Sequence, residues 1–142
     1  MTGSRLFILA IALLGLAACG RGPDARGVSA EAGQASMIGV NGFLWRASLE
    51  TIAFMPLVQT DSAGGVIVTD WYANPQAPEE RVKVTIYILD QALRADGLRV
   101  AATRQQLTGG NWIDVPVRAG TVQKLEETIL ARARDLRRAA IG

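Results

Sequence analysis

A strict alternation of apolar and polar side chains over residues 81–89, RVKVTIYIL, constrains the fold most strongly. The apolar residues of this segment are Val82, Val84, Ile86 and Ile88. They share one side, and the residues between them point to the other. A period of two indicates a β-strand with one face in a hydrophobic core. The fold must therefore contain a sheet with one covered face.

Two amphipathic helices are predicted on either side of the strand-forming region. Asn41 is suited to cap a first helix, which extends to about Phe54 and ends before Pro56 because the residue preceding a proline avoids helical dihedral angles. Apolar residues at three- and four-residue spacings predict a second helix from about Thr121 to Ala140. Each helix has one apolar side, which a sheet face can cover.

Strand-forming segments fill the region between the helices. They are PLVQTD (56–61), VIVTDWY (66–72), RVKVTIYIL (81–89), LRVAATRQQL (98–107) and WIDVPV (112–117). The segment ANPQAPEE (73–80) contains two prolines and two acidic residues and is predicted to be an exposed loop. Because the other connections are short, the strands should form an antiparallel meander. The predicted fold class is α+β: two layers, with four to five strands and both helices on one face.

Residues 1–18 are typical of a secretory signal peptide. Arg5 supplies the positive charge, and the apolar stretch at 6–16 is shorter than the roughly 20 residues that cross a bilayer. The segment LAAC (16–19) resembles the lipobox of bacterial lipoproteins, and this resemblance implies cleavage before Cys19 and acylation of its sulfur. Two or more acyl chains give stable anchoring. We therefore expect Cys19, the only cysteine of the chain, to carry the membrane anchor.

The rest of the chain divides into a tether and one domain. Residues 19–36 comprise the lipidated cysteine and a segment rich in Gly, Ala and Ser, which is typical of a flexible tether. Residues 37–142 are long enough to bury a single core without a disulfide or a metal. In lipoproteins an aspartate after the cysteine favours retention in the inner membrane. Gly20 therefore favours the periplasmic face of the outer membrane, with the inner membrane as the alternative.

Charge and composition exclude several classes of function. A formal net charge of +2 lacks the basic excess of nucleic-acid-binding proteins. The chain has no histidine, and so lacks the usual general base at neutral pH and the commonest metal ligand. Neither the glycine pair at 64–65 nor that at 109–110 opens a helix with Lys-Ser or Lys-Thr, so neither forms a phosphate-binding loop. The sequence predicts a non-enzymatic protein with no cofactor, no metal and no nucleic-acid partner.

The sheet face opposite the helices is a candidate interaction surface. The residues expected on it are Ile67, Thr69, Trp71, Lys83, Thr85, Tyr87 and Arg99. Aromatic residues and arginine are enriched in surfaces that recognise other proteins. In the alternative interpretation, Trp71 and Tyr87 only cover the sheet or pack under the loop at 73–80.

The sequence is also compatible with two further hypotheses. A pocket between the helices and the sheet, lined by Trp45, Phe54 and Trp112, would make the chain a carrier of a small ligand or lipid. Alternatively, Asp70 and Asp114 would act as a carboxylate pair in a hydrolase, which requires the two groups to share one cleft.

Four segments of the chain together resemble a family of short proteobacterial lipoproteins known only as a domain of unknown function. They are VNGFLWRASLETIAFMPL, GGVIVTDWY, ERVKVTIYIL and LEETILARARDLR. The resemblance covers most of residues 38–138 and implies an address and domain limits, but no activity. The order of elements is also similar to that of lipoproteins accompanying the outer-membrane barrel-assembly machinery, which is an analogy of fold alone. The leading hypothesis is a lipid-anchored periplasmic adaptor that binds an envelope protein.

Overall fold

Two helices and a six-stranded antiparallel sheet make up residues 39–142, the part of the chain that this computed structural model describes. The helices are α1 (Gly42–Thr51) and α2 (Thr121–Ile141). The strands are β1 (Leu57–Asp61), β2 (Val66–Thr69), β3 (Tyr72–Asn74), β4 (Ala77–Ile88), β5 (Leu98–Thr108) and β6 (Asn111–Val115). The predicted signal peptide (1–18), Cys19 and the predicted tether (19–36) lie outside the described residues. The predicted fold class is confirmed.

The sheet has the order β1-β2-β4-β5-β6, with β3 pairing to β4 beyond the end of β2. It is the predicted meander, with six strands because the segment at 66–74 is divided into β2 and β3. The prediction of a loop at 73–80 is wrong. A two-residue turn at Pro75 and Gln76 joins β3 to β4, and the amide oxygen of Asn74 accepts a hydrogen bond from the backbone N–H of Gln76 at 3.0 Å.

A β-bulge separates β2 from β3. The chain takes four residue steps from Val68 to Tyr72, while the paired strand β4 takes only three from Thr85 to Val82. One extra residue reverses which side of the sheet each later side chain faces. The hydroxyl of Thr69 is buried at the bulge and accepts the backbone N–H of Val84 at 2.9 Å. The Thr69 side chain thus accepts a β4 backbone N–H that has no backbone partner at the bulge.

The core lies between both helices and one face of the sheet. Its fully buried large side chains are Leu44 and Ile52 from the α1 region, Ile67, Ile86 and Ile88 from the sheet, and Ile129 from α2. The two helices also pack against each other. Burial of a side chain of this kind contributes roughly 1.5–3 kcal/mol before the entropy of ordering the chain is subtracted.

Local contacts fix the ends and the position of each helix. The predicted cap is present: the side-chain oxygen of Asn41 accepts the backbone N–H of Leu44 at 2.9 Å. The α-helix ends at Thr51, earlier than predicted, and a turn then leads to Met55. On α2, the carboxylate of Glu126 accepts the backbone N–H of Val100 at 2.9 Å, which ties the helix to β5.

Candidate binding surfaces on the two sides of the sheet

The sheet face that points away from the helices, here called the open face, carries five of the seven predicted surface residues. They are Trp71, Lys83, Thr85, Tyr87 and Arg99. Register explains this grouping, because Lys83, Thr85 and Tyr87 alternate with the buried residues of β4, and Tyr87 pairs directly with Arg99. Tyr87 is 38% exposed and Arg99 is also exposed.

The other two predicted surface residues, Ile67 and Thr69, are not on the open face. Both are 0% exposed and lie in the core under the helices, so their assignment to the interaction surface is wrong. The prediction assumed uninterrupted alternation over 66–72, which gives Ile67, Thr69 and Trp71 one side. The bulge breaks that alternation, so Trp71 reaches the open face while the two earlier residues remain covered.

An arginine contacts two indole rings at the centre of the open face. The guanidinium carbon of Arg81 lies 4.6 Å from the ring centroid of Trp71 and 4.2 Å from that of Trp112. Its Nε donates to the side-chain oxygen of Gln105 at 2.9 Å, and the Gln105 amide donates to Asp114 at 2.7 Å. We call Trp71, Arg81 and Trp112 the Trp–Arg cluster. Stacking on the two rings and the hydrogen bond to Gln105 restrict the rotamers open to the Arg81 side chain.

The sequence contained a signal for this cluster that the prediction did not use. Arg81 continues the polar side of the alternating segment, and pairs with Gln105 in the register of β4 and β5. The hairpin at Gly109 and Gly110 pairs Leu107 with Trp112, so both lie on the side of Gln105. Trp112 therefore faces away from the helices, and the predicted ligand pocket cannot include it.

The open face carries three cations without ion pairs among the described residues. They are Arg81, Lys83 and Arg99. Carboxylates lie on this face as well: Asp114 accepts a hydrogen bond from Gln105, Asp61 is in register with Val66 at the β1 edge, and Glu79 precedes Arg81 on the same side of β4. A surface of this kind attracts negatively charged groups, and the attraction weakens as salt is added.

A groove of about 660 Å³ lies on the other side of the sheet, between the start of α2, the turn after α1, and the β3–β4 hairpin. Its apolar lining includes Ile52, Phe54, Met55, Tyr72, Val82, Val84 and Leu125. Phe54 and Tyr72 contact edge to face, with ring centroids 5.1 Å apart. Of the three aromatic residues predicted to line such a pocket only Phe54 does so, because Trp45 packs against the core instead.

The groove has a charged end formed by Glu80, Arg118 and Lys124. The Glu80 carboxylate accepts hydrogen bonds from Arg104 at 2.5 Å and from Arg118 at 3.0 Å. The hydrogen bond from Arg104, assisted by the charges of both guanidinium groups, lowers the pKa of Glu80. The glutamate is therefore ionised at neutral pH, with two arginines neutralising it.

Asp70 and Asp114, the predicted carboxylate pair, are not brought together. Strands β4 and β5 lie between the segment that carries Asp70 and the strand that carries Asp114. Three strand spacings separate the two backbone positions by about 14 Å. Glycosidase carboxyl groups are only about 5–9.5 Å apart, so these two do not form such a pair.

Two further properties of residues 39–142 bear on the possible sites. No group of three or more acidic side chains in this range is arranged to hold a metal ion. Neither of its helices is long and apolar enough to cross a membrane.

The fold and its two surfaces define a small α+β module with an uncovered, cation-rich sheet face and an apolar groove. By sequence comparison, the chain belongs to the family described as domain of unknown function DUF3576, which it matches over residues 38–138. It is also 37% identical over 97 residues to the uncharacterized protein RP420 of Rickettsia prowazekii (strain Madrid E). That alignment covers 68% of this chain and 58% of the relative. The resemblance to a family known only as a domain of unknown function is confirmed.

Proposed function

We propose that this chain is a lipid-anchored adaptor of the cell envelope, whose open face binds an acidic segment of an envelope protein. Acylated Cys19 would hold it at the periplasmic face of the outer membrane, and the segment at 19–36 would separate the domain from the lipid surface. The signal-like residues 1–18 and the lipobox-like LAAC support this part of the proposal. No catalytic role is proposed.

The Trp–Arg cluster is the observation that carries the proposal. Arg81 has its Nε occupied by Gln105, and its two terminal nitrogens form no hydrogen bond within residues 39–142. Guanidinium groups bind carboxylates through paired hydrogen bonds, and a stacked arginine loses little further side-chain entropy on binding. Lys83 and Arg99 add two further positive charges on the same face, and neither forms an ion pair within residues 39–142. The arrangement favours an acidic peptide or loop as the partner.

The binding part of the proposal is tested by photo-crosslinking in living cells. A photoreactive residue in place of Thr85, which lies next to Lys83 on the open face, should capture a specific envelope protein through an acidic segment of that protein. The double variant Lys83→Glu and Arg99→Glu should abolish capture, because it reverses two charges of the binding surface. The matched control is Arg134→Glu with Arg137→Glu, which makes the same change in net charge on exposed positions of α2.

Two results would overturn the adaptor proposal. Equal loss of capture in the control and in the open-face variant would mean that only net charge matters. Crosslinks that map to a neutral or basic segment would contradict the stated partner chemistry. The anchor is tested separately by mass spectrometry of the N-terminal fragment of the mature protein: the parent should carry acyl chains on Cys19, and Cys19→Ser should carry none. An unacylated Cys19 in the parent would refute lipid anchoring.

A further inference from the structure

We propose that the groove binds a single-chain amphiphile with a carboxylate head, that is, a long-chain fatty acid. The acyl chain would lie along the apolar lining, and the carboxylate would lie at the charged end beside Lys124. This site is on the opposite side of the sheet from the open face, so the inference does not rest on the proposed function. Failure of either leaves the other unaffected.

The apolar part of the groove has the size and lining of a small-molecule site. Its volume of about 660 Å³ falls within the range of roughly 300–1,000 Å³ that ligand pockets occupy. Ile52, Met55 and Val84 form its floor and are almost fully covered by protein. The apolar surface open to a ligand therefore comes mainly from Phe54 and from the half-buried Tyr72, Val82 and Leu125. Phe54, by contrast, is 62% exposed, although its ring is held against Tyr72. An exposed aromatic ring continuous with a buried apolar lining is suited to cover an acyl chain.

The charge at the end of the groove selects an anionic head. Among the described residues that line the groove, Glu80 is the only acidic one, and it forms ion pairs with Arg104 and Arg118. Lys124 forms no ion pair with any other described residue, so its ammonium group is available to a ligand. A positive group without a partner at the end of an apolar groove is complementary to a negatively charged amphiphile.

The position of Lys124 near the start of α2 also favours a negatively charged ligand. It lies in the first turn of α2, where the aligned peptide dipoles favour acidic rather than basic side chains. That turn contains no acidic residue, and the N-cap, Gly120, supplies no capping side chain. A lysine here therefore works against the stability of the helix. A bound carboxylate would remove this conflict by placing a negative charge beside both the ammonium group and the helix start.

The number of available donors favours a carboxylate over a phosphate. Arg118 donates to Glu80 through Nη2, so it is already committed in part to a protein carboxylate. Lys124 remains as one unshared cation. A head with a single negative charge matches one free cation, whereas a doubly charged phosphate monoester would require further partners.

The experiment is a calorimetric titration of the full-length chain carrying Cys19→Ser, so that no attached lipid competes for the groove. The ligands are decanoate, dodecanoate and tetradecanoate, with dodecyltrimethylammonium and a lysophosphatidic acid for comparison. Binding should be one to one, and each added methylene should tighten it about threefold to fourfold until the groove is full. The cationic amphiphile should not bind.

Two substitutions and one control locate the site. Thr128→Trp places a large ring in the groove from an exposed position of α2 and should abolish binding. Lys124→Glu should weaken binding about tenfold, because it replaces attraction with repulsion. It should not lower the thermal midpoint, because glutamate suits the first turn of a helix. Lys83→Glu makes the same charge change on the open face and should leave binding unchanged.

Each contrary result has a definite meaning. Full affinity in the Thr128→Trp variant would show that the ligand binds elsewhere, including on the apolar segment at 6–16, and would overturn the inference. Equal weakening by Lys83→Glu and Lys124→Glu would show that only net charge matters, and would do the same. Tighter binding of the lysophosphatidic acid than of tetradecanoate would refute the carboxylate as the preferred head.

Discussion

Replacing Thr69 by valine tests the part of the fold that positions the Trp–Arg cluster. The Thr69 hydroxyl is fully buried and accepts the backbone N–H of Val84 at 2.9 Å. Valine has nearly the same shape but cannot accept a hydrogen bond, so the N–H of Val84 would be left buried and without a partner. An unsatisfied buried donor costs about 1–3 kcal/mol, and the added methyl group returns up to about 0.8 kcal/mol.

We therefore expect Thr69→Val to lower the free energy of unfolding by about 1–2 kcal/mol. For a domain of this size, that corresponds to a fall in the thermal midpoint of roughly 5–10 °C. Urea denaturation followed by tryptophan fluorescence measures the first quantity, and calorimetry the second. Hydrogen exchange adds a local readout, because the amide of Val84 should exchange faster than its neighbours on β4.

Thr103→Val is the matched control. Thr103 lies on β5 and is exposed, so the same chemical change should alter the free energy of unfolding by less than about 0.5 kcal/mol. If Thr69→Val is as stable as the parent and the Val84 amide exchanges no faster, then the hydroxyl does not complete the ladder. The account of the bulge would then be refuted.

Three further substitutions test other contacts. Arg81→Lys removes the planar group that contacts two indole rings, and it should lower the free energy of unfolding in urea by about 1 kcal/mol. Arg99→Lys should leave that free energy almost unchanged. Equal effects of the two substitutions would argue against stacking. Because the pKa of Glu80 is lowered in the folded state, its contribution to stability is complete above the ordinary glutamate pKa of 4.5 and is lost as the pH falls through the lowered value. In urea unfolding measured across pH, Glu80→Gln should therefore lose less stability below about pH 4.5 than the parent does. Glu79→Gln, at an exposed position, should lose stability with falling pH as the parent does. Identical acid profiles in the two variants would contradict a stabilising role for the ionised Glu80. Asn41→Ala should lower the free energy of unfolding by about 1 kcal/mol through loss of the helix cap, and an unchanged urea midpoint would show that the cap contributes nothing.

The fold class could be predicted because its main signals are local. The alternation over β4, the cap at Asn41 and the apolar spacing of α2 each depend on residues close together in the chain. The bulge could not be predicted in this way. In the segment VIVTDWY, apolar and β-branched residues occupy both sides of the strand, so nothing marks the point where the alternation reverses. The misassignment of Ile67 and Thr69 follows directly from this.

The groove depends on tertiary structure, and the sequence therefore contains few local signals that predict it. Ile52, Tyr72 and Leu125 line it from three segments that are far apart in the chain. Its existence depends on how α2 is placed over the sheet, which no single segment encodes. Lys124 near the helix start is a local sign, because a basic residue is unfavourable there. Identifying its neighbours required the structure.

Strand β4 separates two chemically different environments by the thickness of one peptide chain. Val82 lines the groove while Arg81 and Lys83, on either side of it in the chain, belong to the opposite face. Gain or loss of a single amino acid within 77–88 would turn a guanidinium toward the interior and a valine toward water. Relatives should therefore differ in length at the connections 62–65 and 89–97, while this twelve-residue strand keeps its length unchanged.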